Sequence, residues 1–247
     1  MTTHTRRLPV RHDIATKNAI LTNSRRGAAA FFLAALWQGA LCQAAGTAAP
    51  AAISPTAPAG QYQIDKSHAS LLLRVNHLGF STYTTRFSRF DAELTFDPSN
   101  IPASKVVTTI DASSFEMDAA PQVCMDIMKG PQMLDTAKFP QIVFKSQRIR
   151  MTGAKSMEIS GTLTLLGVTR PLVLTAAFNG GYPGLPNLDP HARVGFSAHG
   201  SFKRSDFGMG YAVPAPGTTM GVGDLIDFSI EAEFTGPALA TPAAQDR

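Results

Sequence analysis

From residue 62 onward the chain alternates between apolar and polar positions. Ile159, Gly161, Leu163 and Leu165 fall on one side, with Ser160, Thr162 and Thr164 on the other. Beyond Gly167 the pattern resumes with Leu172, Leu174, Ala176 and Phe178. Side chains of a strand point to alternate faces, so this spacing predicts two half-buried β-strands. They meet at Gly167, where glycine permits the positive φ of a tight connection, and Pro171 suits a strand start or edge.

The same template fits six other runs. They are Leu71, Leu73 and Val75; Phe90, Ala92, Leu94 and Phe96; Val106, Thr108 and Ile110; Ile142 and Phe144; Val194, Phe196 and Ala198; and the run from Ile226 through Phe228 to Phe234. Turn residues separate them at 97–100, Gly153, Gly180-Gly181 and 221–223. Regular strands with turn signals and little helix predict an all-β sandwich or barrel. Residues 121–129, with Pro early and Gly130 just past the end, predict one short helix. Residues 182–190 hold three prolines and form a loop. The inward aromatic set of Phe90, Phe96, Phe144, Phe178, Phe196, Phe228 and Phe234 fits either an ordinary core or the wall of a cavity. Periodicity leaves the two open.

Charge changes the picture at the N-terminus. The chain has 247 residues and a net charge of +4. Residues 1–45 carry six Lys/Arg against one acid, which leaves 16 bases and 17 acids for the rest. The remainder has no positive excess with which to hold nucleic acid. Ser24-Arg25-Arg26 is followed by an uncharged Ala-, Leu- and Phe-rich run to Leu41, then by small residues up to Ala45. Basic, apolar, small is the order of a signal peptide, and the run is short for a span of roughly 20 residues. Residues 1–45 are therefore expected to be removed on export, leaving a periplasmic or secreted protein that is not transmembrane. The arginine pair also fits the twin-arginine route. Residues 46–60 are an Ala/Pro linker, 61–236 the domain and 237–247 a disordered tail. Loss of Cys42 with the signal leaves Cys124 as the single thiol, so no internal disulfide holds the domain.

Several motifs carry chemistry elsewhere. Gly195-Phe-Ser-Ala-His199 nearly matches a hydrolase elbow, but it continues a strand where the elbow needs a strand-to-helix turn. Asp206-Phe-Gly208 copies a kinase triplet without the phosphate loop and catalytic loop that give it meaning. His68, His77, His191 and His199 match no metal spacing. Met125, Met128 and Met133 beside Cys124 fit adaptable apolar packing better than a soft-metal site.

Tyr62-Gln-Ile-Asp65, His68-Ala-Ser70 and Asn76-His77-Leu-Gly79 open a series of separated motifs. Phe96-Asp-Pro98, Leu134-Asp-Thr-Ala-Lys-Phe-Pro140, the run Gly161 to Pro171, Arg204-Ser-Asp-Phe-Gly208 and Gly223-Asp224 follow in order. From about residue 61 to 235 the chain resembles the YceI-like family of periplasmic polyisoprenoid-binding proteins. The resemblance implies an eight-stranded antiparallel, lipocalin-like β-barrel with a short helical insert. It implies an amphiphile with its long apolar tail in the lumen, and no catalytic residues. Thr85-Arg86-Phe87 departs from the family's usual glycine before the phenylalanine.

On that basis Leu73, His77, Phe90, Phe96, Phe144, Leu163, Leu165, Ala176, Phe178, Phe196 and Phe228 are expected to contact ligand. His68, Arg74 and Asn76 are expected at a polar mouth. The expected ligand is a polyisoprenoid, a quinone or a fatty-acid-like lipid, carried or sequestered in the envelope. The alternatives are a redox-linked protein that binds quinone or partners a haem protein, and a cavity hydrolase or isomerase. A homodimer stays open.

Overall fold

A computed structural model of the chain describes residues 57–239. The expected signal, linker residues 46–56 and tail residues 240–247 lie outside the described residues. In chain order the strands are β1 (Gly60–His77), β2 (Ser81–Phe87), β3 (Phe90–Phe96), β4 (Lys105–Asp111) and β5 (Phe115–Glu116). The one α-helix of the described residues, α1 (Gln122–Lys129), follows. Then come β6 (Gln141–Met151), β7 (Ser156–Leu165), β8 (Val168–Tyr182), β9 (His191–Lys203) and β10 (Val222–Ala238).

Neighbouring strands run β10-β9-β8-β7-β6-β4-β3-β1, and β1 pairs back with β10, so the sheet closes. Every pairing is antiparallel. The ten segments make eight barrel strands. β2 and β3 are two halves of one strand, broken at Ser88 and Arg89, and both pair with β1. β4 and β5 are likewise one strand interrupted by a 3-10 turn, Ala112–Ser114. Closure removes the two outer edges an open sheet would present, apart from the stretch of β1 that faces the break between β2 and β3.

The β7–β8 hairpin shows how local sequence sets this register. Leu165 pairs with Val168, and the two residues between, Leu166 and Gly167, have φ of 53° and 74°. Two positive φ values in a two-residue connection define a type I′ turn, whose twist matches the strands it joins. Leu78 and Gly79 repeat the pair at the end of β1, with φ of 56° and 74°. In β6 a bulge at Gln147 separates Ser146↔Gly161 from Arg148↔Ser160. The extra residue resets the alternation, so Ile142 and Phe144 are buried before it and Ile149 after it.

Side chains close both ends. At the end where β9 begins, Phe96 stacks on Phe178 with centroids 6.2 Å apart and meets Tyr62 edge-on at 5.7 Å. Phe196 joins this cluster against Phe178 at 5.4 Å and Phe234 at 6.2 Å. The opposite end is built around Arg204, which is 2% exposed. Its Nε donates to Gly223 O (2.9 Å), Nη1 to Met209 O (2.6 Å) and Tyr211 O (2.8 Å), and Nη2 to Val222 O (2.7 Å). This fork gathers the 208–221 loop over the barrel, with Phe207, Met209, Met133 and Leu134 buried beneath. The expected helix is α1. It buries no residue fully, and Met125 and Met128 pack partly against the core.

Candidate functional site

Closing eight strands leaves an interior that side chains either fill or line. Here they line a cavity of ≈160 Å³. At roughly 30 Å³ per water in the liquid, that is the space of about five waters. Of its 30 lining residues none is charged, and only Ser104 and Thr108 carry a polar side-chain atom. The Ser104 hydroxyl is committed to the wall, where it accepts from Asp97 N at 3.0 Å. The lining holds no histidine, cysteine or carboxylate. Its chemistry is burial of an apolar guest, and water gains little there because the space offers it almost no partners.

Leu73, Phe90, Phe96, Phe144, Leu163, Leu165, Ala176, Phe196 and Phe228 all line this cavity. Phe178 is buried behind it, in the aromatic cluster at one end. His77 is exposed at the tip of β1, paired with Ser81 and Val222, and does not line the lumen. Arg74 and Asn76 are exposed, and the alternation of β1 sets them opposite Leu71 and Leu73. Asn76 Oδ1 accepts from Gly79 N at 2.9 Å and so shapes the turn. His68 sits well back along β1, in a bulge, with Nδ1 3.1 Å from Asp65 Oδ2. The four polar groups therefore do not converge on one opening.

The polar feature that sequence reasoning missed is a network on the outside of the barrel. Asp65 accepts from Ser67, His68 and Arg193, and Arg193 Nε also donates to Asp189 Oδ2 at 2.8 Å. Tyr182 Oη donates to the same Asp189 oxygen at 3.0 Å. The Ser67 hydrogen bond and then the Arg193 guanidinium hold the Asp65 carboxyl well below the usual carboxylate range. Asp65 in turn, with Asp189, raises Arg193. Ligand atoms of Asp65, His68 and Glu233 lie within 4.8 Å of one another. A guanidinium already occupies Asp65, so the group reads as an ion-pair network tying β1 to β9. No pattern in the sequence signals it, because its central pair, Asp65 and Arg193, is 128 residues apart.

Comparison with known proteins agrees with this architecture. The YceI-like domain family matches residues 62–234. A UPF0312 protein of Vibrio cholerae serotype O1 is 34% identical over 194 residues, covering 77% of this chain and 95% of the relative. The crystal structure of a Campylobacter jejuni YCEI protein aligns with a TM-score of 0.55 at 26% identity, over 65% of this chain and 89% of that one. A domain of Saccharophagus degradans described as polyisoprenoid-binding shares the fold, with a TM-score of 0.53 at 14% identity, covering 71% of this chain and 98% of that one. The closed eight-stranded barrel, its single short insert helix and the match across residues 62–234 show that this chain belongs to the YceI-like domain family.

Proposed function

We propose that this protein binds an isoprenoid or similar long-chain amphiphile in the barrel lumen and carries or sequesters it in the cell envelope. The observation that carries the reading is the lumen wall, 30 residues without a charge around connected space. Each chain methylene buried there contributes roughly 0.8 kcal/mol, set against the cost of immobilising the chain. The polyisoprenoid-binding description of the Saccharophagus domain supports the ligand class by shared fold. The lining offers neither a nucleophile–base pair nor a nitrogen for haem iron, so a carrier fits it better than a cavity enzyme or a haem protein. Export rests on the basic, apolar, small order of residues 1–45.

Native mass spectrometry of protein purified from its own envelope, followed by lipid extraction, tests the function. A stoichiometric adduct that yields a long-chain lipid is the expected result. A bare polypeptide mass, together with no uptake of farnesol by delipidated protein, would overturn it. N-terminal sequencing of the same preparation tests the export step, with a mature start near residue 46 expected.

A further inference from the structure

The barrel wall parts between β1 and the broken strand β2/β3. β1 pairs with β3 through residues 60–63 and with β2 through residues 72–77, and residues 64–71 have no ladder partner on that side. On its other side β1 pairs with β10 at Ile64↔Phe234 and next at Ala69↔Ala232, so 65–68 bulge out of both ladders. The facing chain turns the other way. Ser88 N donates to Ser114 O and Arg89 N to Ser114 Oγ, both at 3.1 Å, which draws 88–89 away from β1.

A groove occupies this gap, and Lys66, Ser70, Ser88, Arg89, Asp91 and Gln141 are among its walls. Leu71, Phe87 and Phe90 line the groove and the lumen alike. One layer of apolar side chains therefore separates them. Elsewhere, parting two strands breaks ladder hydrogen bonds, each worth about 1 kcal/mol net. Here the link across the gap is the exposed ion pair Lys66 Nζ–Asp91 Oδ2, at 2.7 Å. The lumen also needs to give somewhere. A cavity of about 150 Å³ holds a guest the size of benzene, so a long chain requires the wall to move.

The polar groups of the groove are balanced in charge. Lys66 faces Asp91, Arg89 faces Asp111 at 2.8 Å, and Arg86 faces Glu116 at 2.7 Å. A phosphate here would meet the carboxylates of Asp91 and Asp111. A hydroxyl, phenol or amide finds both donors and acceptors without displacing a partner.

We propose that this groove holds the uncharged, hydrogen-bonding head of the amphiphile, and that its chain enters the lumen sideways through the gap between β1 and β2/β3. The proposal rests on the lumen-binding reading above. The test uses the delipidated mature protein with Cys124→Ser, labelled with a small fluorophore on Ser88→Cys in the groove. Two parallel proteins carry the label on Phe80→Cys and on Leu188→Cys, exposed residues at opposite barrel ends. The probe is palmitic acid amide-linked to a nitroxide ring, which quenches a fluorophore close to its head.

Strong quenching on Ser88→Cys and weak quenching at both ends is expected. A label on Ser88→Cys that blocks loading, while the end labels do not, supports the proposal by the same logic. Quenching at an end and not at the groove overturns it, as does a probe bound by native mass spectrometry that quenches at none of the three. A probe that does not bind at all removes the lumen reading itself. Hexadecanol should displace the probe at least as well as hexadecyl phosphate, and a preference for the phosphate of roughly tenfold or more would overturn the uncharged head. Lys66→Asp, which removes the pair and sets like charges across the gap, should load the probe about two- to fivefold faster, the upper range for an exposed pair. An unchanged loading rate overturns the sideways route.

Discussion

The ring of Phe144 lies across Gly161 on the neighbouring strand. A Cβ built at Gly161 would meet the backbone carbonyl oxygen of Lys145 first and stand 2.7 Å from Phe144 Cζ. Gly161 faces inward, between Ile159 and Leu163, and the missing side chain is what lets both Phe144 and the β6 backbone at Lys145 approach so closely. Gly161→Ala should therefore strain the β6–β7 pairing at Lys145, push Phe144 toward the lumen and destabilise the barrel by about 1–3 kcal/mol, the usual cost of overpacking. Urea unfolding of delipidated protein checks it. A midpoint unchanged from the parent would show that the wall yields without strain.

Arg204 supports four carbonyl oxygens from a buried position, and burial lowers its pKa from the ordinary value. Arg204→Met strips the carbonyls of Met209, Tyr211, Val222 and Gly223 of that donor while filling much of the space. Lost buried hydrogen bonds of this kind cost about 1–3 kcal/mol each before relaxation. Arg204→Lys should recover little, since an ammonium cannot reproduce the planar fork. Hydrogen exchange gives the specific readout. Amides of residues 208–222 should lose protection in both variants, while those of β7 and β8 keep it.

Stability should fall on acidification, and part of that slope belongs to Arg193. Asp65, Asp111, Glu116 and Asp189 all have folded-state pKa values below their ordinary ones. A depressed carboxylate contributes stability above its unfolded value, 3.8 for Asp65, and loses it as pH falls through the folded value. Arg193 faces two of the four. Arg193→Met should flatten the pH dependence of the unfolding midpoint on the acid side and lower stability near neutrality. A variant with the parent's acid slope would show that Ser67 and Tyr182 hold these carboxylates without the guanidinium.

Most of the fold is legible in the sequence because its strands are half-buried, and half-burial writes itself as alternation. Leu163, Leu165, Leu172 and Leu174 are inward where the pattern puts them, and Gly167 has the positive φ its turn requires. The breaks in pattern are less legible. The bulge at Gln147 and the excursion at 65–68 reset the alternation without a glycine or proline to announce them. Of the split strand only the β3 half, Phe90 to Phe96, shows as alternation; β2 buries Phe87 alone, so no apolar run marks it. The position of a polar group along the barrel is also hidden. Alternation gives the face of His68, Arg74, Asn76 and His77 but not which end of the barrel each approaches. The buried Arg204 has no local signature, because its partners are carbonyl oxygens that any sequence supplies.

Ala176 distinguishes an open lumen from a packed core. It lies on β8 between Leu174 and Phe178, pairs with Met157 and Ala198, is 3% exposed and lines the cavity. A larger side chain here has two places to go. In a solid core it forces neighbours off their rotamers and costs about 1–3 kcal/mol. In an open lumen it fills space that a guest would take, so folding suffers little and binding is lost. Ala176→Phe should therefore fold with a denaturant midpoint close to the parent's and retain less long-chain lipid. The midpoints must be compared on delipidated protein, because bound ligand raises apparent stability by mass action. Lipid content is measured separately on protein as purified. The variant also separates lumen from groove, since Ala176 lines the first and not the second. If Ala176→Phe keeps its lipid while folding normally, the chain lies outside the lumen and the groove would hold more than a head. If it unfolds and the parent carries no lipid either, the interior is a core and the carrier reading loses its physical basis.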